Sequence, residues 1–216
     1  MGQYAVIFAM LVGAFGQTLQ VPYEDIEASF TNKRVSHSYS GSFTSIRKID
    51  FRNLSFPTFD DNGNADQIET RLINGHYGYS EPGDYESLDL DSIHYLSRLK
   101  TSHGDSALLL FSLNVAGGSS NQWGIADLFV LSGKHLQISQ EIKWETHAGG
   151  RESFDSATNT LVIRSDRPGG GGCCIPELDV VTFKWDGSRF VQTGIRTELS
   201  EYGKRERKTL PTTPNQ

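Results

Sequence analysis

Short runs in which apolar and polar residues alternate fill most of this chain. Ile49, Phe51, Leu54 and Phe56 alternate with polar neighbours except for a two-residue slip at Arg52-Asn53, a pattern that predicts a half-buried strand with a bulge. Glu69 to Ile73 reads as a strand and meets Asn74-Gly75, the dipeptide best suited to a two-residue hairpin turn. Ser87 to Tyr95 alternates weakly. Ala107 to Val115 is a nearly continuous apolar run of strand length, which predicts a central strand covered on both faces. Trp123 to Leu131 turns at Ser132-Gly133-Lys134 into Leu136 to Trp144, where Leu136, Ile138, Ile142 and Trp144 alternate with polar residues. Thr160 to Arg164 and Val180 to Trp185 complete the series, the latter returning through Asp186-Gly187-Ser188 into Arg189-Phe190-Val191. After residue 30 no helical period persists over several turns. The expected fold is all-β, an antiparallel meander forming a sandwich or a partly closed barrel.

The ends of the chain read differently. Tyr4 to Val12 is a short apolar run followed by small residues at Ala14 and Gly16, the pattern of a signal peptide over residues 1–16 with cleavage before Gln17. Residues 17–46 are polar, with one or two helical turns allowed over 24–30, and are expected to form a loosely ordered lead-in to a β-domain spanning 47–199. From Ser200 the chain is charged and then rich in Pro and Thr, so residues 200–216 are expected to be a disordered tail without apolar area to offset ordering entropy. Export places the mature protein in the periplasm or outside the cell. No later stretch is apolar enough for stable membrane insertion.

Composition narrows the partners. An apolar share of 37% suffices for a core, and a net charge of -6 with scattered acids argues against nucleic acid, which selects basic patches. The two cysteines, Cys173 and Cys174, are adjacent behind Gly169 to Gly172 in a loop between strands. A vicinal disulfide is the favoured reading in an oxidising compartment. Two free thiols for a soft metal, and one thiol packed inside with its neighbour outside, are the alternatives. Tyr77, Tyr79 and Tyr85 surround Pro82-Gly83 and are candidates for binding a glycan or peptide, although tyrosines also edge cores with the hydroxyl in water. The histidines at 37, 76, 94, 103, 135 and 147 lack metal-ligand spacing. Asp60 to Asp66 is turn chemistry rather than a calcium loop, because Gly63 falls fourth and Arg71 twelfth. There is no G-x-S-x-G, and no acid pair can be placed across a cleft, so no catalytic residue, metal or cofactor is assigned.

Three pieces, in order, carry a family likeness: Asp50-Phe51-Arg52-Asn53-Leu54-Ser55-Phe56-Pro57, Leu72-Ile73-Asn74-Gly75-His76-Tyr77, and Cys173-Cys174-Ile175-Pro176 followed by Phe183-Lys184-Trp185-Asp186-Gly187-Ser188-Arg189-Phe190. They resemble the D-F-R-N-F-T-Y-P, L-x-N-G-x-Y and C-C-P…W-D-G-x-x-F motifs of an uncharacterised family of exported bacterial proteins. The acid-rich turn that the family carries before its central strand is reduced here to Asp105, and Ile175 interrupts the C-C-P. The resemblance implies an exported β-rich domain with no established activity. The reading that follows is a non-catalytic binding domain for an extracytoplasmic glycan, peptide or envelope protein. A hydrolase of envelope polymers is one alternative, and a thiol-redox sensor built on Cys173 and Cys174 is the other.

Overall fold

The computed structural model describes residues 30–59, 62–82, 84–96, 105–116, 120–146, 151–166 and 176–209. The alternating stretches become the strands β1 (Phe30–Ser38), β2 (Ser55–Phe59), β3 (Ala65–Arg71), β4 (His76–Glu81), β5 (Asp84–Leu96) and β6 (Asp105–Ala116). They continue with β7 (Ser120–Ser132), β8 (His135–Glu145), β9 (Ser153–Asp155), β10 (Thr160–Asp166), β11 (Glu177–Trp185) and β12 (Phe190–Leu199), followed by helix α1 (Glu201–Thr209). A six-stranded antiparallel sheet has the order β1-β8-β7-β6-β5-β4, a four-stranded sheet the order β12-β11-β10-β9, and β2 pairs only with β3. The fold is a sandwich built of meanders. It is not a closed barrel, since β1 and β4 end the larger sheet without pairing to each other.

The larger sheet is the middle layer. One face packs Leu108, Leu110, Ala126, Leu128, Ile142 and Trp144 against Leu161, Ile163, Val181 and Phe183 of the four-stranded sheet. The other packs Leu88, Leu109, Phe111, Phe129, Leu136 and Ile138 against Phe51, Phe56 and Leu72 of the β2–β3 region. That is why β6 reads as a continuous apolar run: residues Ala107 to Phe111 are buried on both sides. A register shift between β7 and β8 at Leu128/Phe129 leaves Ser139 as the extra residue. Leu136 and Ile138 therefore face the hairpin, while Ile142 and Trp144, of the same sequence parity, face the second sheet.

Three expectations are corrected. The lead-in contains β1, an edge strand paired with β8, whose polar outer residues and internal register shift between Arg34 and His37 hide its alternation. Residues 46–53 form two 3-10 turns, Ile46–Lys48 and Phe51–Asn53, and the strand begins only at Ser55. Ile46 to Ile49 and Phe51 to Leu54 are spaced by three, the repeat of that helix. Glu201–Thr209, in the stretch read as a disordered tail, is α-helical. Ser200 caps it, its Oγ accepting from Gly203 N at 3.1 Å, and Lys204–Glu201 and Tyr202–Glu206 pairs lie along it. Among the described residues no helix is long and apolar enough to cross a membrane.

The first two motif pieces meet in space. Asn74 and Gly75 adopt φ of 55° and 88°, as a two-residue turn demands. Asn53 Oδ1 accepts from Asn74 N at 3.0 Å, and Arg52 O accepts from Gly75 N at 2.7 Å. The 3-10 turn thus clamps the point at which the chain leaves the hairpin layer and enters the central sheet.

Candidate functional site

The β2–β3 hairpin leaves part of the sheet face beneath it unfilled, and a cavity of about 660 Å³ results. Its floor follows from strand register. One cross-strand row runs Leu113, Trp123 and Glu145; the next runs Phe111, Ile125, Lys143 and Thr31; the third runs Leu109, Asp127, Glu141 and Lys33. Phe56, Pro57 and Phe59 from β2 and Thr70 from β3 form the roof. Lys143 Nζ lies 4.8 Å from the Trp123 ring centroid, and Glu86 from β5 joins the wall.

The acids in the third row are the chemical centre. Asp127 and Glu141 are direct antiparallel partners on one face, the arrangement that brings two side chains closest in a sheet. Asp127 is 4% exposed, and its Oδ1 is buried with no hydrogen-bond partner. Burial, reinforced by the Glu141 charge, pushes the Asp127 carboxyl well above the ordinary carboxylate range. Burial also raises Glu141, against the pull of Lys143 and Lys33. Beside them burial, then the charges of Asp127 and Glu69, pushes the Tyr39 phenol far up, and its hydroxyl donates to Ser55 O at 2.8 Å. The result is a carboxyl pair with a strong hold on a proton at the bottom of an aromatic cavity.

This geometry has a stability consequence. A carboxyl raised by folding binds its proton more tightly in the native state. Its contribution is largest below the unfolded-state value, near pH 4, and is lost as pH rises toward the folded value. Asp127→Asn keeps the shape and removes the charge, so we expect it to raise stability at neutral pH by about 1–3 kcal/mol. The gain should shrink on acidification, and urea midpoints at pH 5 and pH 8 measure it. An equal gain at both would show that ionisation is not the cause.

Of the tyrosines singled out, Tyr77 and Tyr79 pair with Leu88 and Glu86 and so share the cavity-side face of β4, at the sheet edge. Tyr85 lies one residue out of phase with Glu86 and faces the opposite way. Tyr77 packs against the hairpin-side core, whereas Tyr79 and Tyr85 are 40% and 41% exposed. None of the three lines the cavity. Cys173 and Cys174, with the disulfide assigned to them, lie outside the described residues. Among the histidines, His37 is 3.5 Å from Glu69 and His76 is 2.7 Å from Asp89. His94 packs against Phe154 with ring centroids 4.5 Å apart and the planes tilted by 38°, and burial lowers its pKa. Among the described residues no three His, Cys, Asp or Glu side chains are grouped to hold a metal ion.

Asp127 and Glu141 were not legible as a pair in the sequence. The available signal was local: Asp127 is a lone acid within the apolar stretch Ile125 to Leu131. Comparison with protein-family models, with curated proteins and with solved structures found no match.

Proposed function

We propose that this is an exported binding domain, acting in the periplasm or outside the cell, that holds an extracytoplasmic ligand between its central sheet and the β2–β3 hairpin. The observation that carries the reading is the cavity itself: about 660 Å³, walled by Phe56, Phe59, Phe111 and Trp123, with the Asp127–Glu141 pair at its base. Ligand sites have this size, and the lining here joins aromatic and aliphatic side chains to an equal share of polar and charged ones. Close-packed interiors do not keep such space as a matter of course. A glycan unit or a peptide segment with an apolar side chain fits the dimensions, the aromatic rings taking its apolar face and the carboxyls its donors. The tyrosines on β4 extend the same side of the sheet toward solvent.

Hydrolysis of envelope polymers is the second reading, and the raised carboxyl pair favours it. Its weakness is geometric. Asp127 and Glu141 stand side by side on one wall, whereas glycosidic hydrolysis uses acids that flank the bond. Ile125→Trp, which fills the cavity from its floor, separates the possibilities. Glycan and peptide libraries presented to the mature domain should yield a ligand whose binding is saturable, lost in the Ile125→Trp variant and recovered chemically unchanged. Equal binding by both proteins would remove the cavity as the site, and a cleaved ligand would favour the hydrolase.

A further inference from the structure

We infer that the cavity selects ligands that present a protonated amine, and that the ammonium group seats between the paired carboxyls of Asp127 and Glu141. The inference rests on the cavity being the binding site. Its argument is the order of charges along the third floor row. Lys33 is the partner of Glu141 on its outer side, and Lys143 stands in the next row on the same strand, so protein cations bear on Glu141. Asp127 is one strand further in. Its inner partner is Leu109, which is fully buried, and the charge that bears on it is the negative one of Glu141. A buried carboxyl with an unpartnered oxygen and no cation beside it carries an electrostatic deficit that a proton or a cation must fill.

The surroundings decide which cation. Phe56, Phe59, Phe111 and Trp123 are unsuited to a bare metal ion, which needs several oxygen ligands, and suited to an organic cation with an apolar body. An ammonium donates several hydrogen bonds from one centre and so serves both carboxyls, which a single hydroxyl does not. Four carboxyls line the cavity, Asp127, Glu141, Glu145 and Glu86, against the two lysines Lys33 and Lys143, so a ligand carboxylate is disfavoured beside Asp127. Lys143 on β8 and Lys33 on β1 bear on Glu141, and Asp127 bears on Tyr39 beyond β1, which Glu69 on β3 and His37 on β1 also adjoin. Binding is then an exchange: the ammonium forms its ion pair as the carboxyl pair releases a proton to solvent. Affinity rises with pH across the titration of the pair.

Three probes of one length, decylamine, decanol and decanoate, test this by calorimetry on the full mature protein at pH 6 and pH 8. Decylamine should bind about ten-fold or more tightly than decanol at pH 8. Its advantage should fall at pH 6, and heats in two buffers of different ionisation enthalpy should reveal proton release. Asp127→Asn should erase the preference for the amine while decanol binding persists. Equal binding of amine and alcohol, both lost in the Ile125→Trp variant, overturns the amine inference and leaves the cavity as the site. Binding that Ile125→Trp does not affect overturns both, and absence of decylamine binding overturns the amine inference.

Discussion

Gly124→Ala is expected to destabilise the protein by about 2–3 kcal/mol, the cost of overpacking a core. Gly124 on β7 is the direct partner of Trp144 on β8, and the indole occupies the space that a side chain at 124 would need. A methyl group built on Gly124 falls 2.1 Å from Trp144 Cε2, so the ring must move. Trp144 is fully buried between the two sheets, among the second group of core side chains, and has nowhere to go without displacing neighbours. Trp144→Ala should cost about 3–5 kcal/mol through lost burial and the void left behind. The decisive measurement is the double variant. With the indole gone, the alanine at 124 has room, so its added cost in the Trp144→Ala background should fall close to zero. Urea unfolding of the four proteins gives the cycle, and strict additivity would show that the two residues do not compete for one space.

The sheet-forming stretches were legible because alternation and turn chemistry agreed. Ala107 to Val115 announced a doubly covered strand, and Asn74-Gly75 and Asp186-Gly187 marked turns. What escaped had identifiable physical causes. β1 is an edge strand held by backbone pairing to β8, and such pairing leaves little trace in a sequence as polar as Thr31 to Arg34. The slip at Arg52-Asn53 is visible in the sequence, but its spacing of three fits a bulged strand as well as the 3-10 turn that it encodes. The helical tail is hard to see in the sequence because it lacks an apolar stripe: a capping Ser200, one Lys204–Glu201 ion pair, and the close approach of Gly203 to the Pro176 carbonyl hold it.

The candidate site was less legible than the fold, and the bulge at Ser139 is the reason. Leu136, Ile138, Ile142 and Trp144 alternate without interruption in the sequence, which assigns all four to one face and Glu141 to the other. The extra residue reverses the faces partway along β8. It sends Ile142 and Trp144 to the sheet–sheet core and brings Glu141 onto the side occupied by Leu136, next to Asp127 and under the hairpin. One unpaired residue thus both completes the second core and assembles the carboxyl pair. Nothing in residue type at Ser139 signals this, because a bulge is set by the pairing of two strands and not by either alone.

The same bulge positions the second large effect, at Gln140. Its side-chain amide reaches the second sheet, where Oε1 accepts from Phe190 N at 2.8 Å and Nε2 donates to Phe190 O at 2.8 Å and to Asn32 Oδ1 at 2.7 Å. The amide thus bonds both polar backbone groups of a buried residue at the start of β12. Gln140→Leu retains approximate volume and strands both groups, so we expect a loss of about 2–6 kcal/mol, at about 1–3 kcal/mol for each buried unsatisfied group. Gln140→Glu is the sharper test. A carboxylate still accepts from Phe190 N but has no proton for Phe190 O, so ionised it is both buried and set against a carbonyl. Its folded-state pKa is then raised above the unfolded value. Stability is retained below about pH 4 and lost as pH rises through the folded value. Gln140→Glu should therefore be less stable than Gln140→Leu at pH 8 and should close much of that gap at pH 5. A gap between the two that does not change with pH would show that the amide proton donated to Phe190 O is not what joins the sheets.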